Sequence, residues 1–130
     1  MKFLRTVLYL SAVAHITGGL ALLLAPGAAM SALGQVPPDL AWIRLVGLQG
    51  TMTGLTQVII GHRVESLWWF SWTFVFGAVA STVVFAGHAI AGVPAGSALW
   101  PWWALAAFGA SGIVGLLAGL ALAGLERPAE

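Results

Sequence analysis

Four long apolar stretches follow one another along the chain, separated by short segments that collect proline, glycine and the few charged residues. The first runs from about Thr6 to Ala25 and is closed by Pro26-Gly27, because proline has no N–H to offer and its ring clashes with the preceding turn. A segment rich in Gly, Ser and Pro, read as a loop, covers Pro26 to Asp39, and Pro37-Pro38-Asp39 predicts a helix start with Asp39 in or beside the first turn. The second stretch covers about Leu40 to Ile60, a short polar hairpin spans Gly61 to Ser66, and the third covers about Leu67 to Ala91. Gly92 to Leu99 makes the next turn, and the fourth stretch runs from Trp100-Pro101 to about Gly124, before a polar tail at Glu126 to Glu130. Crossing a hydrocarbon layer of roughly 30 Å takes about 20 mainly apolar residues in a helix. The expectation is an all-α protein: one transmembrane domain over residues 1–130, a four-helix transmembrane bundle with spans at about 6–25, 40–60, 67–91 and 100–124.

Composition strengthens this reading. Apolar residues make up 60% of the 130 and charged residues 7%, against about half and about a quarter in soluble domains, so the surface cannot be covered with polar groups in water. Lys2 and Arg5 ahead of the first stretch, and the small residues from Ala28 to Ala32 after it, have the layout of a signal peptide. A stretch of about 20 residues is long for the apolar part of one, and His15, Thr17, Gly18 and Gly19 dilute it, so a retained helix is expected. With no cysteine, disulfides, thiolate nucleophiles and Cys-held metal clusters drop out. The net charge of +1 is scattered without a polybasic patch, which argues against nucleic acid as a partner.

Lys and Arg resist translocation, so their distribution orients the chain. Lys2, Arg5, Arg63 and Arg127 fall on one side and Arg44 alone on the other, which places both termini in the cytoplasm, in an integral, multi-pass arrangement expected of a bacterial plasma membrane. Tryptophans settle at headgroup level: Trp68, Trp69 and Trp72 mark the cytoplasmic edge, and Trp42, Trp100, Trp102 and Trp103 the outer one. Within the bilayer, helices associate by close packing and hydrogen bonds, which favour small residues at the contact. Each stretch owns such a face: Ser11, His15 and Gly18; Gly47, Gly50, Gly54, Gln57 and Gly61; Gly77, Ser81, Val84 and His88; Gly112, Gly115 and Gly119. These faces suit a tight bundle, and some are open to a second copy or a partner subunit.

Ionisable groups at membrane depth are expensive, so His15, Arg44 and His88 are the candidate site residues. A histidine hydrogen-bonded to a neighbouring helix accounts for either imidazole; contact with haem, a pigment or a quinone is the functional alternative. The two lie at depths differing by roughly 9 Å, which weakens a shared haem. Arg44 is expected to snorkel to the outer interface and meet phosphate or Asp39; turned inward, it would sit above a polar run of Gln49, Thr51, Thr53, Thr56 and Gln57 that forms either a small cavity or interhelical hydrogen bonds. No carboxylate lies well inside a stretch, and neither a catalytic triad, a zinc-protease motif nor a nucleotide-binding glycine pattern is present.

Ala32-Leu33-Gly34 after the first proline-closed helix, followed by Trp42-Ile43-Arg44-Leu45-Val46-Gly47 opening the second, resembles the small DoxX-like four-helix membrane proteins of unassigned function. The resemblance covers most of the chain in architecture and few specific positions. It implies a quinone site, since some relatives are linked to quinone-dependent thiol or sulfur oxidation; that activity is not carried over to a chain without cysteine. The expectation is therefore non-enzymatic: an accessory or assembly subunit, or a binder of an apolar ligand such as a lipid or quinone. A membrane subunit of a redox enzyme using His15 or His88 is the alternative, and the sequence specifies no cofactor.

Overall fold

The structure is a computed structural model that describes residues 1–36 and 39–125; Pro37, Pro38 and the tail from Glu126, with Arg127, lie outside the described residues. It is all-helical, with no strand among the described residues: α1 (Lys2–Leu24), α2 (Pro26–Ala32), α3 (Leu40–His62), α4 (Val64–Leu67), a 3-10 turn (Trp68–Phe70), α5 (Ser71–Ala91) and α6 (Trp100–Leu125). Three helical stretches are long and apolar enough to cross a membrane: Lys2–Leu24, Val64–Ala91 and Trp100–Leu125. α3 equals α1 in length at 23 residues, but Arg44, Gln49, Gln57 and three threonines make it more polar.

Two connections differ from expectation. Pro26 does not open a loop; it is the first residue of the seven-residue helix α2. Proline is preset for that position, where its missing N–H has no partner to lose. The helix stops at Gly34, whose φ of 63° suits a residue without Cβ. Gly34 N–H bonds the Ser31 carbonyl at 2.9 Å and Gln35 N–H the Met30 carbonyl at 2.9 Å, a paired closure that satisfies carbonyls left over at the helix end. The 61–66 hairpin is likewise tighter than a polar loop: α3 continues to His62, Arg63 alone reverses the chain, and α4 starts at Val64. At the start of α3, Asp39 is the N-cap, accepting the Ala41 N–H at 2.8 Å.

α1 and α3 form the closest pair. Tyr9, Ala12, Ile16, Gly19 and Leu23, one stripe of α1 at helical spacing, meet Gly47, Gly54 and Gly61 of an antiparallel α3. α6 packs on the other side of α1, with Gly119 over Leu4 and Gly115 beside Val7, and α5 packs on α6, where the Thr82 side chain lies on Gly109. α3 and α5 hardly meet, so the spatial order is α3–α1–α6–α5. A core of Leu4, Leu8, Ile60, Val64, Leu116 and Leu120 closes one end of the molecule. There Arg5 donates to the Gly61 carbonyl at 3.0 Å and pairs with Glu65. At the other end, Gln35 donates to the Ala98 carbonyl at 2.7 Å and Ala98 N–H to the Gly34 carbonyl at 2.7 Å, which ties 33–36 to 97–98. Large side chains such as Phe76, Val83 and Ile90 are exposed on the outside of the helices.

Candidate functional site

Because α3 and α5 do not close on each other, the four long helices leave a cleft of about 790 Å³ between them, within the roughly 300–1,000 Å³ usual for small-molecule sites. Its wall is mostly apolar, with the rings of Phe74, Phe85 and Phe108 and the aliphatic Leu10, Leu22 and Leu105. Gly18, Gly77 and Gly112 lie on this wall, and a Cβ added at any of them would meet no atom within 4 Å. These three glycines border empty space, unlike Gly47 and Gly54, which are pressed against α1.

Polar residues interrupt the apolar wall, and three of them, Ser11, His15 and Gln57, form a hydrogen-bonded cluster. His15 Nδ1 lies 2.8 Å from the Ser11 carbonyl. A carbonyl only accepts, so Nδ1 carries the hydrogen, and Nε2 of the neutral ring offers a lone pair. The imidazole sits 5.9 Å from the Phe108 ring at a 59° tilt, which holds it against the wall. Gln57 reaches across from α3: its Nε2 donates to Ser11 Oγ at 2.9 Å, while Oε1 is buried with no hydrogen-bond partner. Gln57 is only 2% exposed, and an unpaired buried amide oxygen costs about 1–3 kcal/mol. Among the described residues, no lysine, arginine, aspartate or glutamate contributes to the wall.

Of the candidate residues, only His15 reaches the cleft. Arg44 lies on the exposed side of α3 and makes no hydrogen bond or ion pair with another described residue; Asp39 is engaged in capping Ala41 instead. His88 stacks on Trp102 with centroids 4.8 Å apart and planes 8° from parallel, and its Nδ1 meets the Val84 carbonyl at 2.9 Å. The polar run of α3 divides: Gln49, Thr53 and Gln57 line the cleft, whereas Thr51 and Thr56 donate to the Gly47 and Met52 carbonyls of their own helix. The three phenylalanines were not anticipated, since an aromatic in an apolar helix carries no signal of which neighbour it faces. The pairing of Ser11 with Gln57 does have a signal: each lies on its helix's small-residue stripe, although the α1 stripe carrying Ser11 borders the cleft beside the line along which α1 and α3 meet.

No group of three or more potential metal-ligating side chains occurs among the described residues. Compared with family models, curated proteins and solved structures, the chain matches none.

Proposed function

We propose that this is an integral membrane protein in which α1, α3, the α4–α5 stretch and α6 all cross the bilayer, and that the cleft between them binds an apolar ligand, a lipid or a quinone. The observation that carries the reading is a mostly apolar cleft of about 790 Å³ whose polar lining, among the described residues, is uncharged and includes the hydrogen-bonded cluster of Ser11, His15 and Gln57. A spanning role for α3 is supported by its length and by the burial of Gly47, Gly54 and Gly61 against α1. That stripe is used within the chain, which leaves the outward faces of α5 and α6 for a partner subunit or second copy if the protein serves in an assembly. The DoxX-like kinship is proposed on architecture and on the Ala32-Leu33-Gly34 and Trp42–Gly47 segments.

The ligand reading is tested by filling the cleft. A Cβ at Gly112 meets no atom within 4 Å and the residue borders the cleft, and leaving glycine gains about 0.5–1 kcal/mol of helix preference, so the fold should survive Gly112→Leu. Mass spectrometry of small molecules retained by protein purified in nanodiscs should show at least a tenfold loss relative to the unaltered chain. Equal retention by the two would defeat the reading. The competing role, a redox subunit, rests on His15, the one histidine on the wall; a Soret or pigment band that vanishes in His15→Ala would put that role first.

The proposed orientation has both termini in the cytoplasm of a bacterium-like plasma membrane. Ser66 lies at the Arg5 end and Ser97 at the Gln35 end, and the background is free of cysteine. Single cysteines at Ser66, Ser97 and Ala129, the last outside the described residues, should react with a membrane-impermeant maleimide on intact cells only at Ser97. Labelling at Ser66 or Ala129 would invert the orientation.

A further inference from the structure

The hydrogen-bonding inventory of the polar cluster goes further than the presence of a cleft. His15 Nε2 is an unpartnered acceptor, because the Nδ1 hydrogen is committed to the Ser11 carbonyl. Gln57 Oε1 is a second unpartnered acceptor, because the amide's NH₂ is turned to Ser11 Oγ. Ser11 Oγ accepts from Gln57 and lies 3.3 Å from His15 Nδ1, whose hydrogen it shares with the Ser11 carbonyl, so it keeps its own hydrogen to donate. The cluster therefore holds two unpaired acceptors, Nε2 and the buried Oε1, and one donor, all uncharged, on a wall with no ionic side chain among the described residues.

From this we infer that the cleft selects neutral amphiphiles headed by a hydroxyl group; the inference rests on the cleft being a ligand site. A hydroxyl is the smallest neutral group that both donates and accepts. It supplies one hydrogen, to the imidazole or to the amide, and takes the one that Ser11 offers. An ether or ketone head accepts only, so it leaves both protein acceptors unpaired in an apolar setting. A carboxylate or phosphate head brings a charge into a cleft with no cation to receive it, where desolvation is unfavourable. The apolar remainder of the ligand lies along the glycine-lined wall at Gly18, Gly77 and Gly112, where the bare backbone leaves room.

The test uses the full chain in nanodiscs and equilibrium binding of radiolabelled 1-tetradecanol, with tetradecyl methyl ether as the matched acceptor-only competitor. A decyl-substituted hydroquinone and its oxidised quinone form a second pair that separates a phenolic source of the hydroxyl from an aliphatic one. In each pair the hydroxyl form should bind at least tenfold more tightly. Gln57→Met, which keeps the side chain's length, and His15→Phe should each reduce that preference severalfold, read as the ratio of alcohol to ether binding within each variant so that any general loss of binding or stability cancels. Preference in only one pair assigns the hydroxyl to that source and supports the inference. Equal binding of alcohol and ether, and of hydroquinone and quinone, would overturn it, and if Gly112→Leu still weakened every probe the cleft would stand as an unselective apolar site. Probes that bind equally well to Gly112→Leu and to the unaltered chain would remove the cleft reading and the inference together.

Discussion

Gly47→Ala is expected to lower the melting temperature of the detergent-solubilised protein more than any other single methyl addition to α3. The added Cβ would lie 2.5 Å from the Leu23 nitrogen and 2.6 Å from the Gly19 carbonyl oxygen. Both are backbone atoms of a regular helix, so neither can turn aside, and α1 and α3 must separate along their whole contact. Overpacking of this kind costs about 1–3 kcal/mol or more, and lipid gives little back because tails are as apolar as the contact that is lost. Gly50→Ala is the internal control: its Cβ would sit 3.5 Å from the Gly19 Cα, an ordinary contact, and alanine gains about 1 kcal/mol of helix preference over glycine. Gly54→Leu should behave like the Gly47 variant, since Ile16 Cγ1 lies 2.6 Å and the Ala12 carbonyl oxygen 2.8 Å from its Cβ position. Leu55→Ala, at a side chain 45% exposed, should do little. Equal melting of the Gly47 and Gly50 variants would mean that α3 does not pack on α1 through this stripe.

The same glycines show why the helices were legible in the sequence and the cleft was not. Helix positions follow from apolar length and from the breakers between stretches, and α3, α5 and α6 begin or end close to where Asp39, Gly92 and Trp100 suggest. α2 escaped because proline, glycine and serine together read as loop, although the Ala32-Leu33-Gly34 ending is the signature of a helix stop at a left-handed glycine. The small-residue stripes predicted close contact on every helix. Gly47 and Gly54 make it, but Gly18, Gly77 and Gly112 face open space. A bare Cα at helical spacing permits either outcome, and the choice depends on helix order in space, α3–α1–α6–α5, which no local pattern encodes. His15 was singled out because an imidazole at membrane depth needs a partner. That the partner is its own helix carbonyl, leaving Nε2 for the cleft, follows only from the geometry.

Gln35→Leu is expected to loosen the end of the molecule opposite Arg5. In the sequence Gln35 sits in a stretch of turn formers and carries no signal, yet its amide bridges three groups: Leu33 in its own connection, Ala98 in the α5–α6 connection and Trp102 on α6. Nε2 donates to the Ala98 carbonyl at 2.7 Å and the Leu33 carbonyl at 3.3 Å, and Oε1 accepts the Trp102 indole N–H at 3.2 Å. Beside it, Val36 N–H meets Ser97 Oγ at 3.3 Å, so Gln35 is the centre of the clamp between the α2–α3 and α5–α6 connections. Since α3 and α5 hardly touch, this clamp and α1 are what fix the α3 side of the cleft relative to the α5–α6 side. Each bond is worth about 0.5–1.5 kcal/mol net, and at this end water can replace some of what is lost, so a total of about 1–2 kcal/mol is expected. Amide hydrogen exchange should read the effect directly, because the Ala98 N–H that bonds the Gly34 carbonyl is protected only while the clamp is closed. Exchange over residues 93–99 should accelerate by roughly tenfold, the factor that corresponds to about 1.4 kcal/mol of opening free energy. Gln49→Leu, an exposed amide on the cleft wall, supplies the comparison and should leave that segment's exchange unchanged. Matching exchange in the two variants would show that the connections are held by the helices alone, and that the cleft keeps its width without the Gln35 clamp.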